Sequence, residues 1–133
     1  MTAKKGYKDL LAEANAMVEA LAPAAAAELL GREDVAFIDL RDPRELDREG
    51  RMAGAVHCPR GMLEFWIDPE SPYHKEIFSS DRHFVFFCAG GWRSALAART
   101  ALEMGLERVS HVEGGFSAWK EAGMPHDPGK SKP

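Results

Sequence analysis

A cysteine followed by a glycine-rich turn is the part of this sequence best suited to chemistry. Cys88 ends an apolar run that begins at Phe84, and the residues after it are Ala89, Gly90, Gly91, Trp92, Arg93 and Ser94. Glycine permits backbone angles that other residues resist, so successive N–H groups of such a loop can turn inward around an anion. A helix that begins directly after the loop adds the positive end of its dipole. This field favours a thiolate, which is the nucleophilic form of cysteine.

The arginine of this segment, which we call the cysteine loop (residues 88–94), adds a permanent positive charge that suits an oxyanion substrate. A lone cysteine after an apolar strand is usually a small buried residue, and a Gly-Gly pair is usually a turn. The combination of cysteine, two glycines, arginine and an immediate helix start favours function instead. The sequence therefore predicts Cys88 as the nucleophile, residues 89–94 as a binding cradle made mainly of backbone N–H groups, and Arg93 as the group that holds the substrate.

Length and charge limit what the rest of the chain can do. The chain has 133 residues, with 17 Lys and Arg against 21 Asp and Glu, so its formal net charge is −4. This size and an apolar content of 45% are typical of one globular domain and exclude a disordered or fibrous class. Mild acidity gives no electrostatic reason to expect a nucleic acid or a membrane as partner.

Two cysteines, Cys58 and Cys88, are too few for a disulfide framework, and they do not form a CxxC pair. No apolar run approaches the roughly 20 residues of a membrane span, and the polar N-terminus has no signal-peptide core after it. We therefore expect a cytoplasmic protein with free thiols. The five histidines show no metal-ligand spacing, so no metal or cofactor is expected.

Apolar spacing and turn residues predict helices that alternate with strands. The helices are predicted over Lys8–Leu21, Ala24–Leu30, Pro43–Arg48, Ser94–Met104 and Phe116–Ala122. The strands are predicted over Val35–Leu40, Ala55–Cys58, Phe84–Cys88 and Val109–Val112. This alternation indicates an α/β fold with a mostly parallel sheet covered on both faces. Ligands of such sheets bind at the carboxyl ends of strands, where Cys88 is expected.

The cysteine loop resembles the active-site loop of single-domain rhodaneses, which are sulfurtransferases. Three other stretches resemble motifs of that family in the same order: Ile38–Arg41 followed by Glu45, Gly50–Pro59, and Val112–Trp119 followed by Ala122–Pro125. The resemblance implies a three-layer rhodanese-like domain with about five strands. It divides the chain into an N-terminal helical extension (1–21), the rhodanese-like domain (22–126) and a flexible tail (127–133).

The resemblance also implies an activity of the thiosulfate:cyanide sulfurtransferase type. Cys88 would take a sulfane sulfur from thiosulfate or a persulfide, become a persulfide itself, and pass the sulfur to cyanide, to a small thiol or to a protein acceptor. Related cysteine-based phosphatases have a loop that is one residue longer, which disfavours phosphatase activity here. The remaining alternatives are a non-enzymatic sulfur carrier or protein-interaction module, and a redox switch in which Cys58 resolves an oxidised Cys88.

The cysteine loop departs from several family members because Arg93 is its only charged residue. A small dianion such as thiosulfate profits from further cations, so this departure weakens the case for thiosulfate as the natural donor. Trp92 either favours an apolar or protein-borne persulfide or packs at the helix start.

Other residues are candidates for supporting roles. Asp39 and Arg41 end a predicted strand and either lie near the cysteine loop or form a structural ion pair that Glu45 joins; we favour the ion pair. Arg60 either lines the opening of the site that the cysteine loop forms or is exposed to solvent. In the segment 61–80, Phe65 and Phe78 are interpreted as a small satellite core, whereas Trp66, Tyr73 and His74 carry the hypothesis of a lid.

Overall fold

The computed structural model describes residues 4–130, which form alternating helices and strands. The helices are α1 (Tyr7–Met17), α2 (Pro23–Ala27), α3 (Pro43–Glu49), α4 (Leu63–Ile67), α5 (Trp92–Glu103) and α6 (Gly115–Glu121). The strands are β1 (Glu19–Leu21), β2 (Val35–Asp39), β3 (Val56–His57), β4 (His83–Phe87) and β5 (Val109–Val112). Two short 3-10 helices, Arg60–Met62 and Glu76–Ser79, lie in the connection between β3 and β4.

All five strands join one parallel sheet in the order β1-β5-β4-β2-β3. The predicted α/β class, the five strands and the additional N-terminal helix are therefore confirmed. β4 is the central strand, and its last four residues alternate between two cores, which matches the continuous apolar run of a strand buried on both faces.

The first strand was not predicted. The helix expected over Lys8–Leu21 ends at Met17, and Val18 takes extended backbone angles. Glu19, Ala20 and Leu21 then pair in parallel with Ser110, His111 and Val112 of β5. Three residues are too few to show strand alternation, and the spacing from Val18 to Leu21 is also a helical spacing, so the apolar pattern concealed the change.

Helices cover both faces of the sheet and form two cores. On one face Phe84 and Phe86 of β4 pack with the buried alanines of α5 and with residues of α4. On the other face Val85 and Phe87 pack with Phe116 and Trp119 of α6. Small alanine side chains let α5 lie close to the sheet, and this fixes the position of the loop that leads into it.

A buried ion pair closes the carboxyl end of β2. The guanidinium of Arg41 donates to both carboxylate oxygens of Asp39 at 3.0 and 2.8 Å, and neither side chain is more than 2% exposed. Arg41 also donates to the Gly50 carbonyl and stacks over the Phe116 ring, with its central carbon 4.2 Å from the ring centroid. The predicted structural ion pair is confirmed, except that Glu45 takes no part in it.

The connection between β3 and β4 only partly matches the expectation for residues 61–80. Phe78 is buried and stacks on Phe84, which confirms it as a core residue. Phe65 is 53% exposed, so its assignment to a satellite core was wrong. His74 bonds to the Trp66 carbonyl and to the Ser79 hydroxyl, and these contacts hold it within its own segment.

The end of the described chain runs back along α3. Asp127 forms a bridge with Arg51, and the Lys130 N–H donates to the Asp47 carbonyl. Residues 131–133 of the predicted flexible tail lie outside the described residues, and that boundary stays a prediction. Within residues 4–130 no helix combines the length and the apolar character needed to cross a membrane.

We expect Asp39→Asn to lower the free energy of unfolding by about 3–5 kcal/mol, because it leaves the charge of Arg41 buried without its counter-ion. Urea unfolding followed by circular dichroism measures this change. The matched control is Asp34→Asn, which removes the exposed ion pair with Arg32 and is expected to have little effect. Equal effects of the two substitutions would contradict a dominant role for the buried pair.

Candidate active site

Cys88 lies directly after the last residue of β4, at the carboxyl edge of the sheet. The Phe87 carbonyl accepts the N–H of Leu40, so the neighbouring strand continues alongside the start of the cysteine loop. Cys88 is only 1% exposed, and its sulfur lies against the loop rather than in solvent. The place of Cys88 at the carboxyl edge of the sheet is the one expected from the sequence, although the strand itself ends one residue earlier, at Phe87.

Two backbone N–H groups of the cysteine loop point at the sulfur. Gly91 donates to Cys88 Sγ at 3.1 Å, and Ser94 donates at 3.4 Å. Gly91 caps α5 in the left-handed region, with φ of 102°, whereas Gly90 does not take a positive φ. The glycine freedom that the sequence suggested is therefore used at one position, where the loop turns into the helix.

The N-terminus of α6 donates hydrogen bonds to the first two carbonyls of the cysteine loop. Phe116 donates its N–H to the Cys88 carbonyl at 2.7 Å, and Ser117 donates to the Ala89 carbonyl at 3.0 Å. Gly115 has a φ of 62°, and a Cβ placed on it would lie 2.5 Å from the Cys88 oxygen and 2.6 Å from the Ala89 oxygen. Only glycine fits this approach without displacing the loop backbone.

Arg93 is engaged by a carboxylate of the protein itself. Its guanidinium donates to both oxygens of Glu45 at 2.8 Å, in a bidentate pair between α5 and α3. The hydrogen bonds from Arg93 lower the pKa of Glu45 to about 2, although partial burial opposes the shift. The expectation that Glu45 joins Asp39 and Arg41 was wrong, because the capping box at the start of α3 turns Glu45 towards the cysteine loop.

Ser94 and His111 form a chain of polar contacts that leads from the Cys88 sulfur into the protein interior. The Ser94 hydroxyl lies 3.6 Å from Cys88 Sγ, within reach of a hydrogen bond to sulfur, and 3.0 Å from Nδ1 of His111. His111 is 4% exposed, and its burial lowers its pKa, with Glu113 opposing the shift. His111 was not among the site residues predicted from the sequence, because it is one of two polar residues in the four-residue strand β5 and carries no local motif.

A cavity of about 230 Å³ opens at the sulfur and is lined by Cys88, Gly90, Trp92 and Arg93. Trp92 is 62% exposed and stands 5.0 Å from the ring of Tyr7, which is also exposed. Trp92 therefore packs against Tyr7 at the start of α5 and also lines the cavity, so its position fits both interpretations made from the sequence. α1, which precedes the segment that resembles the rhodaneses, thus contributes an aromatic side chain beside the mouth.

Cys58 and Arg60 lie at the end of β3, away from this cavity. Cys58 is completely buried, and burial raises the pKa of its thiol to about 12. β2 separates β3 from β4, so with strands about 4.8 Å apart the two cysteine backbones lie roughly 10 Å from each other. A disulfide needs less than about 7 Å, so the redox switch is disfavoured. Arg60 is not among the residues that line the cavity and pairs with Glu64.

The match to known families covers most of the chain. The model of the rhodanese-like domain matches residues 22–122. The chain belongs to this family. A sulfurtransferase of Allochromatium vinosum is 30% identical over 97 residues, which cover 73% of this chain and 82% of that protein.

Two solved structures share both the rhodanese-like fold and substantial sequence. The polysulfide-sulfur transferase homodimer of Wolinella succinogenes is 34% identical, with a TM-score of 0.69 over 90% of this chain and 85% of that one. A protein of unknown function from Rhodopseudomonas palustris, described as a possible tyrosine phosphatase, is 55% identical, with a TM-score of 0.93. That match covers 96% of this chain and 98% of the other.

We expect Gly115→Ala to displace the cysteine loop, since its methyl group would meet the carbonyl oxygens of Cys88 and Ala89. The rate at which iodoacetamide alkylates Cys88 at pH 7 should fall at least about tenfold, as expected for losing one hydrogen bond to a charged sulfur. Peptide mass spectrometry measures the rate at Cys88 alone.

The matched control for this prediction is Gly123→Ala. Gly123 also has a positive φ, of 73°, but a Cβ there meets nothing within 4 Å. It therefore carries the same kind of backbone strain, of about 1 kcal/mol, without the clash. Identical alkylation rates in the two variants would show that the close approach of Gly115 does not hold the loop.

Proposed function

We propose that this rhodanese-like protein is a sulfurtransferase that carries a sulfane sulfur as a persulfide on Cys88. The observation that carries the proposal is the pair of N–H groups, from Gly91 and Ser94, that point at a cysteine sulfur on the floor of an open cavity. These donors favour a sulfur that bears negative charge. The kinship with a sulfurtransferase of 30% identity supports the same class of reaction.

The transfer takes two displacements at sulfur. The Cys88 thiolate attacks the sulfane sulfur of the donor, a new S–S bond forms, and the donor's own bond to that sulfur breaks. The rest of the donor leaves with the electron pair, as sulfite when the donor is thiosulfate. A thiolate or cyanide then attacks the outer sulfur, the bond to Sγ breaks, and its electron pair restores the Cys88 thiolate.

The donor we propose is a persulfide or polysulfide in preference to thiosulfate. Arg93 is the only cation of the cysteine loop, and Glu45 already neutralises it through two hydrogen bonds. A small dianion therefore gains little at the mouth, whereas the exposed ring of Trp92 suits an apolar sulfur chain. The kinship with a polysulfide-sulfur transferase supports this donor class.

The other predicted site residues take different parts in this proposal. Ala89, Gly90 and Ser94 complete the cradle, while Arg93 fixes the entry to α5 and orients the mouth. Asp39 and Arg41 act at a distance, by supporting Phe116 beneath the cysteine loop. We assign no part in binding to Arg60. The proposed setting is the reducing cytoplasm, where the Cys88 thiol stays free.

The alternative within the same family is a sulfur carrier without turnover. A carrier would accept the sulfur on Cys88 and hold it until a protein partner takes it. Both possibilities give a persulfide on Cys88, with a mass increase of about 32 Da for one sulfur atom. They differ in whether a small acceptor such as cyanide or a thiol releases that sulfur repeatedly.

We expect donor-dependent turnover that depends on Cys88 and not on Cys58. Incubation with a polysulfide or thiosulfate and cyanide should give thiocyanate, and Cys88→Ser should abolish it. Cys58→Ser is the matched control, because the Cys58 thiol is buried and un-ionised at neutral pH, and it should retain most of the activity. Thiocyanate is measured as its iron complex, and the adduct by intact-protein mass spectrometry.

The outcomes of this experiment separate the two possibilities. An adduct on Cys88 without thiocyanate would favour the carrier. Neither adduct nor turnover with any donor would contradict the proposed function. Faster turnover with thiosulfate than with polysulfide would contradict the proposed donor class alone.

Phosphatase activity is the second candidate, because the relative from Rhodopseudomonas palustris is described as a possible tyrosine phosphatase. Four residues separate Cys88 from Arg93, one fewer than in cysteine-based phosphatases, and a shorter loop suits a sulfur atom better than a phosphate group. We therefore expect negligible hydrolysis of p-nitrophenyl phosphate by a preparation that forms the Cys88 persulfide. Robust hydrolysis that Cys88→Ser removes would overturn the assignment.

A further inference from the structure

The buried imidazole of His111 has one nitrogen with a partner and one without. Nδ1 lies 3.0 Å from the Ser94 hydroxyl, whereas Nε2 is buried and has no hydrogen-bond partner in the described part of the chain. Burial also lowers the pKa of His111, so the ring is neutral at pH 7 and carries a single N–H.

The position of that single proton follows from the cost of burial. An N–H on Nε2 would leave a buried donor unpaired, which native proteins rarely tolerate. A bare Nε2 leaves only an unused acceptor, which is the milder penalty. The ring therefore carries its proton on Nδ1 and donates it to the oxygen of Ser94.

The Ser94 hydroxyl then has one direction left for its own proton. Its two neighbours among the described hydrogen bonds are Nδ1 of His111 and Sγ of Cys88, 3.6 Å away. Since Nδ1 is a donor, the hydroxyl proton turns towards the sulfur. Together with the N–H groups of Gly91 and Ser94, this gives the sulfur three donors, and an ionised sulfur accepts them best.

We propose that His111 is a positioning residue that directs the Ser94 hydroxyl onto Cys88 and so favours the thiolate. His111 acts only through Ser94, so replacing it should change how readily the Cys88 thiol ionises. The inference rests on the proposed function in taking Cys88 as the nucleophile, and it deepens that function by naming what keeps the sulfur ready for attack.

The charged groups around this chain of donors are few. Arg93, from the first turn of α5, faces the sulfur and is paired with Glu45 of α3, while Glu113 at the end of β5 acts on His111. A second cavity, of about 400 Å³, lies beside the imidazole, and the residues that line it from α1, β1 and the residue between them do not titrate: Leu11, Asn15, Val18 and Ala20. A substitution at position 111 leaves all these groups in place.

The test compares the pH profiles of Cys88 alkylation by iodoacetamide in the wild type, His111→Leu and His111→Asn. Leucine fills the space without a donor, so the midpoint of the alkylation profile should rise by about one pH unit. Below the midpoint, the alkylation rate should then fall about tenfold. Asparagine places an amide N–H near the position of Nδ1 and should restore at least half of the shift. A profile unchanged in His111→Leu, or not restored in His111→Asn, would overturn the proposal.

A second measurement uses the unaltered protein and decides the matter if the leucine variant does not fold. Long-range proton–nitrogen correlation spectra of the His111 ring report which nitrogen carries the proton at pH 7. We expect the Nδ1–H tautomer, and the Nε2–H tautomer would refute the proposal. Neither measurement needs sulfur transfer, so absence of thiocyanate formation with normal alkylation profiles would count against the proposed function and not against this one.

Discussion

The arrangement of the site depends on how closely the N-terminus of α6 approaches the cysteine loop. Phe116 and Ser117 donate to the carbonyls of Cys88 and Ala89, which fixes the orientation of the peptide groups at the start of the loop. Because α6 fixes those two carbonyls, the loop turns at Gly91 and directs two N–H groups at the sulfur. The approach requires the bare Cα of Gly115, because any side chain there would meet backbone oxygen.

The buried ion pair of β2 supports the same arrangement from a distance. Asp39 holds Arg41, and the guanidinium carbon of Arg41 lies 4.2 Å from the ring centroid of Phe116, the residue whose N–H binds the Cys88 carbonyl. The ion pair buried at the end of β2 therefore stabilises the position of Phe116, which binds the backbone of Cys88 at the end of the neighbouring strand β4. The Asp-x-Arg segment therefore supports the cysteine loop although neither Asp39 nor Arg41 lines the cavity at the sulfur.

The sequence predicted those parts of the site whose residues are contiguous. The cysteine loop could be interpreted locally, because its glycines, cysteine and helix start lie within seven residues. Glu45 and His111 could not be, since their partners lie 48 and 17 positions away and only packing brings them together. β1 escaped prediction for a related reason: its three residues form a strand only because β5 offers an edge to pair with.

The electrostatics of the site also differ from what the arginine suggested. A full charge on Arg93 would attract anions in general, but Glu45 compensates it, and the whole chain carries a net charge of −4. The donors that the sulfur has are the two N–H dipoles at 3.1 and 3.4 Å, whose influence falls off within a few ångströms. Dipoles of such short range act on the sulfur beside them and give little attraction to charge elsewhere on a donor. Under the proposed function, selection among donors therefore depends on the shape and the aromatic surface of the cavity opening, where Trp92 and Tyr7 stand exposed.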